Sequence, residues 1–140
     1  MSYSLLTRDV EYDVVPMMQE YRVGLTAWSP LASGLLSGKY TRENLADPAY
    51  RLGGRGPVGF AQERGFALLD KLRPMAERHA ASLAQVVLAW VLANPAVSSV
   101  ILGATTLAQL DDNLGAIDVR LSGEDLKELD EATALPKLYP

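Results

Sequence analysis

Residues 28–39 gather the groups that could hold an anion beside a flat ring. Trp28 closes an apolar run, and Ser29, Pro30, Leu31, Ala32, Ser33 and Gly34 follow it, with Gly38 and Lys39 a few positions on. Serine, proline and glycine turn a chain after a strand. Small side chains let a phosphate approach the backbone, Lys39 or Arg51 adds positive charge, and an indole at a strand end can stack on a planar ring. A second stretch of the same character is Gly103-Ala104-Thr105-Thr106, which leads straight into a helical pattern. Backbone N–H groups at such a helix start, reinforced by the helix dipole, suit an anion. A plainer reading stands beside this one. Such loops also simply turn the chain, Thr105 or Thr106 can serve only as an N-cap, and Trp28 can belong to the core. Gln109, Asp112 and Asn113 lie at helical spacing opposite Leu107, Leu110 and Leu114, which is also the pattern of a solvated face.

Other chemistries are poorly supplied. The chain has no cysteine, so disulfides and thiolate sites are excluded, and its single histidine, His79, leaves a metal site without imidazoles. The formal net charge is −4 and no basic cluster occurs, which argues against nucleic acid and anionic membranes. No run reaches the ~18–20 apolar residues of a membrane helix. The opening MSYSLLTRDV has neither the basic region nor the apolar core of a secretion signal, so the expected location is cytoplasmic. At 140 residues the chain suits one domain, 1–140.

The elements that must position these residues follow from periodicity. Apolar runs at 3–6 (YSLL), 23–28 (VGLTAW) and 98–104 (SSVILGA) predict strands, and their lack of alternation predicts parallel strands covered on both faces. Thr7 and Asp9 offer cap chemistry before VEYDVVPMMQEY, a helix that Pro16 places from about Asp13 onward. The span 41–59 is irregular. Phe66, Leu69, Leu72 and Met75 mark an amphipathic helix over 60–79, which Pro74 kinks or breaks. Ser82 caps a nearly all-apolar and therefore buried helix, LAQVVLAWVLA, ended by Asn94-Pro95. TLAQLDDNLGA predicts a helix burying its leucines, and Ser122 with Asp125 resembles a capping box for EDLKELDEA. Strands alternating with helices in this way predict an α/β fold with right-handed crossovers.

Taken together, YSLLTRD, GLTAWSPLASGLLSGKY, SLAQVVLAWVLANP and SVILGATTLAQLDDNLGAI resemble the C-terminal part of the aldo-keto reductases, in that family's order and spacing, from residue 3 to about 133. The resemblance implies a partial (β/α)8 TIM barrel whose three parallel strands are equivalent to strands six to eight. It implies oxidoreductases that reduce aldehydes and ketones with NADPH, sometimes NADH. Trp28 matches the aromatic that stacks on nicotinamide. Ser29, Pro30, Leu31, Ala32 and Ser33 match the loop along the pyrophosphate, with Lys39 nearby, and Arg51 matches an arginine of the family's variable loop. Gly103, Thr105, Gln109, Asp112 and Asn113 match the adenosine and ribose-phosphate end. Many relatives carry Arg or Ser where Thr105 and Thr106 stand, which leaves the choice between NADP(H) and NAD(H) open.

The same resemblance places the family's catalytic Asp, Tyr, Lys and His on the first four strands and their loops, outside this sequence. It therefore implies a truncated homologue that keeps the cofactor motifs and does not reduce carbonyls unaided. His79, at the end of an outer helix, is expected to face water. Three strands cannot close a barrel, so open edges and a bare inner face call for a partner, either further copies in a homo-oligomer or the missing barrel half.

Overall fold

The computed structural model describes residues 1–45, 47–48 and 60–135, together with the side chains of all these except residues 60 and 61. The run at 23–28 yields a short strand, β1 (Leu25–Ala27), and the run at 98–104 yields β2 (Val97–Val100). They pair in parallel, Thr26 opposite Ser99 and Ala27 opposite Val100, with a bulge between Leu25 and Thr26 that accommodates Ser98. Gly24 makes the bulge possible, because a Cβ there would stand 1.8 Å from Ser98 Oγ.

The expected third strand over 3–6 is not formed. Ser2 makes a single parallel bridge with Trp28, and Ser4 then folds back onto Thr7 through a reciprocal pair of 3.0 Å backbone bonds. Tyr3 and Leu5 are nonetheless fully buried. The apolar run at 3–6 records burial, and burial does not require ladder pairing. Nor are both sheet faces covered among the described residues. Leu25 and Ala27 are buried beneath helices, whereas Thr26, Ser98 and Ser99 on the strands are exposed.

Helix α1 (Val14–Tyr21) starts after Asp13, with Pro16 in its first turn where a missing N–H is harmless. Helix α2 (Phe60–Arg78) runs through Pro74 without the expected break. Leu72 and Met75, both fully buried, hold the helix to the core on either side of the proline, and tertiary packing overrides local preference. Helix α3 (Leu83–Ala93) is the centre of the fold. Ser82 and Gln85 form a reciprocal capping box at its start, and Val86 through Val91 are all buried. Asn94 closes it and accepts the Ala96 N–H at 3.0 Å, aiming the chain into β2.

Helix α4 (Leu107–Leu114) is capped by Thr106, whose hydroxyl accepts the Gln109 N–H at 3.2 Å. Its orientation reverses the expectation. Leu107 and Leu114 are 79% and 49% exposed, whereas Asn113 is buried. The polar side faces α3 because Ser82 and Gln85 offer it hydrogen bonds there. Helix α5 (Gly123–Ala132) carries the predicted capping box of Ser122 and Asp125. Arg8 ties α5 to the start of the chain: it pairs with Glu11 at 2.8 Å and Asp130 at 3.0 Å and lies over the Trp90 ring at 5.0 Å.

Candidate functional site

Trp28 is not core. Its backbone is held on both sides, donating to the Met1 carbonyl at 2.9 Å and accepting from the Tyr3 N–H at 3.2 Å, while its indole is 52% exposed. The loop that follows is wound tightly. Ser29, Ala32 and Ser33 adopt positive φ of 57°, 49° and 58°, and Gly34 and Gly38 adopt 91° and 77°. Non-glycine residues in this region cost of order 1 kcal/mol or more each, and such strain concentrates where a backbone is shaped for a ligand. Buried Pro30, Leu35 and Leu36 anchor the loop from below. Lys39 folds back over Gly34: a Cβ at that glycine would lie 2.8 Å from Lys39 Cε and 3.0 Å from Nζ. The exposed ammonium stands 5.1 Å from the Tyr40 ring centroid.

The Ile101 N–H donates to the Ala27 carbonyl at 2.8 Å. The β1 and β2 loops therefore leave the same edge of the sheet side by side, at the C-terminal ends of parallel strands, where ligands bind in such folds. In the second loop a Cβ at Gly103 would meet nothing within 4 Å, so this backbone is open to approach. Gln109 Oε1 accepts both the Thr105 N–H at 2.9 Å and its hydroxyl at 3.0 Å, which closes the loop onto the first turn of α4. No Lys or Arg occurs between Arg78 and Arg120. Positive charge beside this loop must come from elsewhere. Trp28 through Ser33, Lys39, Gly103, Thr105 and Gln109 are thus brought to one end of the sheet. Asp112 turns toward α3 instead, the Ser82 hydroxyl donating to its Oδ2 at 2.9 Å and Gln85 Nε2 to its carbonyl at 2.9 Å, and Asn113 beside it is buried. Arg51 lies outside the described residues.

The sequence profile described as the aldo/keto reductase family matches residues 1–134. The chain belongs to the aldo/keto reductase family. It is 41% identical over 126 residues to a probable voltage-gated potassium channel subunit beta of Oryza sativa subsp. japonica, covering 84% of this chain and 37% of that protein. It is 33% identical to probable aldo-keto reductase 1 of Glycine max, over 95% of this chain and 38% of that protein. It is 36% identical to the uncharacterized oxidoreductase YrpG of Bacillus subtilis, over 92% and 38%. The chain thus spans 37–38% of the length of these relatives. The family's TIM barrel is represented among the described residues by a small α/β unit with a two-stranded parallel sheet, one strand fewer than expected.

Outside the two loops, the aldo/keto reductase chain carries a polar cluster where the end of α2 meets α5. His79, expected to face water, is only partly exposed and also has a protein partner. Its ring Nε2 lies 2.9 Å from Asp125 Oδ2, and Arg78 pairs with the other carboxylate oxygen at 2.8 Å. Arg78, His79, Ser122, Glu124, Asp125 and Glu128 line a cleft of about 500 Å³. Burial pushes the Asp125 carboxyl up, but Arg78, the Ser122 N–H and hydroxyl, and His79 together hold it well below the usual carboxylate range. The Ser122 hydroxyl bonds to the carboxylate and not to the imidazole, so the cluster lacks the nucleophile–base contact of a hydrolase. It is a clasp between α2 and α5. Among the described residues no group of His, Asp and Glu could hold a metal ion, and no helix is long and apolar enough to cross a membrane. Sequence reasoning missed the Ser82–Asp112 and Gln85–Asp112 contacts. Ser82 announced a helix start, but nothing local announced that it and Gln85 reach another helix.

Proposed function

We propose that this chain supplies the dinucleotide-holding end of an aldo/keto reductase, with NADP(H), or NAD(H), lying along the two loops at the C-terminal edge of β1 and β2. The observation that carries the reading is the loop Trp28–Lys39: an exposed indole, three non-glycine residues at positive φ and a lysine folded over a glycine, on a firmly buried base. These residues fit the group. Trp28 offers a face for a planar ring, the strained turn and Lys39 suit a pyrophosphate, and the open backbone at Gly103 with Thr105 and Gln109 suits the adenosine end. A bound reduced nicotinamide supplies a hydride for a carbonyl carbon. The residues of this chain bind and orient; none stands at these loops as a proton donor for the carbonyl oxygen, which acid catalysis requires. On this reading the chain alone turns over no aldehyde or ketone, and reduction needs the remainder of a family barrel.

Titration with NADPH tests the proposal, because Trp28 is exposed and Trp90, the other tryptophan, is buried. Saturable quenching that disappears in Trp28→Phe is expected. Absence of binding up to millimolar NADPH would leave only common ancestry.

A second reading is favoured by one observation, the outward leucine face of α4 with Ile117 60% exposed beyond it. On this reading the chain is a self-assembling interaction module in which a second copy covers that face. Light scattering separates the two: assembly without NADPH binding supports the module, and NADPH binding by a monomer removes it.

A further inference from the structure

We infer that Ser82, Gln85 and Asp112 form a brace that positions the Gly103–Gln109 loop, with Asp112 acting through α4. The inference rests on the functional reading above and deepens it. Ser82 Oγ donates to Asp112 Oδ2 at 2.9 Å, and Gln85 is shared between two helices. Its Oε1 accepts the Ser82 N–H at 3.0 Å, and its Nε2 donates to the Asp112 carbonyl at 2.9 Å. Gly115 leaves room for that reach, since a Cβ there would lie 2.4 Å from Gln85 Nε2.

Two features make these bonds matter. Helix α3 is the deeply buried side of the contact, with Val86, Val87 and Leu88 at most 1% exposed. Helix α4 has little apolar hold on the body of the chain, because Leu107, Leu110 and Leu114 all point outward. Its placement therefore depends on its polar side. From Asp112 the constraint passes up one turn of α4 to Gln109, whose carboxamide closes the loop on Thr105. With Oδ2 held by Ser82 and the carbonyl by Gln85, Asp112 acts as a positioning residue.

A double-mutant cycle in the full chain tests this: Ser82→Ala, Asp112→Ala and the pair, each titrated with NADPH through Trp28 fluorescence. Each single change is expected to weaken NADPH about tenfold, the effect of about one hydrogen bond. The maximal quench at saturation should stay unchanged, because the nicotinamide end is untouched. The double variant should bind no worse than the weaker single variant, and Ser82→Thr, which keeps the hydroxyl, should restore affinity. Additive losses of about a hundredfold, or unchanged affinity in Ser82→Ala, would overturn the brace. Equal weakening in Ser82→Ala and Ser82→Thr, with lowered melting temperatures in both, would reduce it to a helix cap. If the unmodified chain binds no NADPH, the functional reading itself fails, and the brace with it.

Discussion

The Asp125 carboxylate concentrates more charge chemistry than any side chain in the two loops. It is 6% exposed, caps α5 through the Ser122 N–H at 2.9 Å, and holds both Arg78 and His79. Burial opposes its charge, but these partners outweigh burial and leave its folded pKa depressed. A depressed folded pKa contributes stability above the unfolded value of about 3.9, and that stability is lost as pH falls below it. Asp125→Asn should therefore cost about 2 kcal/mol at neutral pH and flatten the acid limb of a melting-temperature profile below about pH 4. An acid limb that keeps its slope in the variant would assign it to other carboxylates. Tyr3 gives the opposite sign. Burial and the 2.7 Å bond to Glu11 raise its phenol well above the ordinary tyrosine value, against a lowering by Asn94. Its contribution is present below about pH 10 and fades as pH rises beyond. Tyr3→Phe should remove that alkaline limb and cost about 1–3 kcal/mol, because Glu11 and Asn94 each lose a bonded partner. An unchanged alkaline melt would refute this. The cap at Asp125 was legible from Ser-x-x-Asp spacing. Its grip on His79 was not, because the partners are 46 residues apart in sequence and only the fold brings them together.

Among the elements, the join of β1 to β2 is the tightest steric test. The parallel pair is only a few residues long, and its bulge forces Ser98 against Gly24. A Cβ at residue 24 would collide with both Ser98 Oγ at 1.8 Å and Ser98 Cβ at 2.8 Å. Gly24→Ala should cost about 1–3 kcal/mol through overpacking, and Ser98→Gly in the same chain should recover most of it by removing both atoms. Equal denaturation midpoints for Gly24→Ala alone and the double variant would show that the strain lies elsewhere. The helices at this scale were largely legible. The Ser82 cap, the nearly all-apolar LAQVVLAWVLA run and the Asn94-Pro95 stop mark α3 nearly to the residue. Two expectations failed for a shared reason. The run at 3–6 and the leucines of α4 were read as strand pairing and core burial, but hydropathy reports neither the partner nor the side it lies on. Tyr3 and Leu5 are buried without a ladder, and Leu107 has the periodicity of a core residue yet stays exposed. At the candidate site, spacing located the loops, while the left-handed backbone at Ser29, Ala32 and Ser33 emerged only from the structure, since none of those residue types demands it.

At the scale of the whole molecule, the described residues leave both a sheet edge and a set of apolar side chains uncovered. β2 has no strand beyond it among the described residues, and one face of the sheet exposes Thr26, Ser98 and Ser99. Close by in sequence, Ile101, Leu107, Leu110, Leu114 and Ile117 are all large, apolar and 38–79% exposed. Exposed apolar side chains in this number, together with an unpaired edge, are what monomers avoid and interfaces use. In relatives whose lengths this chain covers by 37–38%, further chain is present that can cover such a surface. For the 140-residue chain in dilute solution, the expected cover is a second copy. Sedimentation velocity at tens of micromolar should show a concentration-dependent dimer or larger species, and Leu110→Asp should shift it to monomer while leaving the far-ultraviolet circular dichroism unchanged. Burial of roughly 800 Å² per copy, the ordinary size of a specific interface, would suffice for association in this range. A chain that sediments as a monomer at every concentration and melts cooperatively would mean that the face tolerates water, and the open-edge argument would then fail for this molecule.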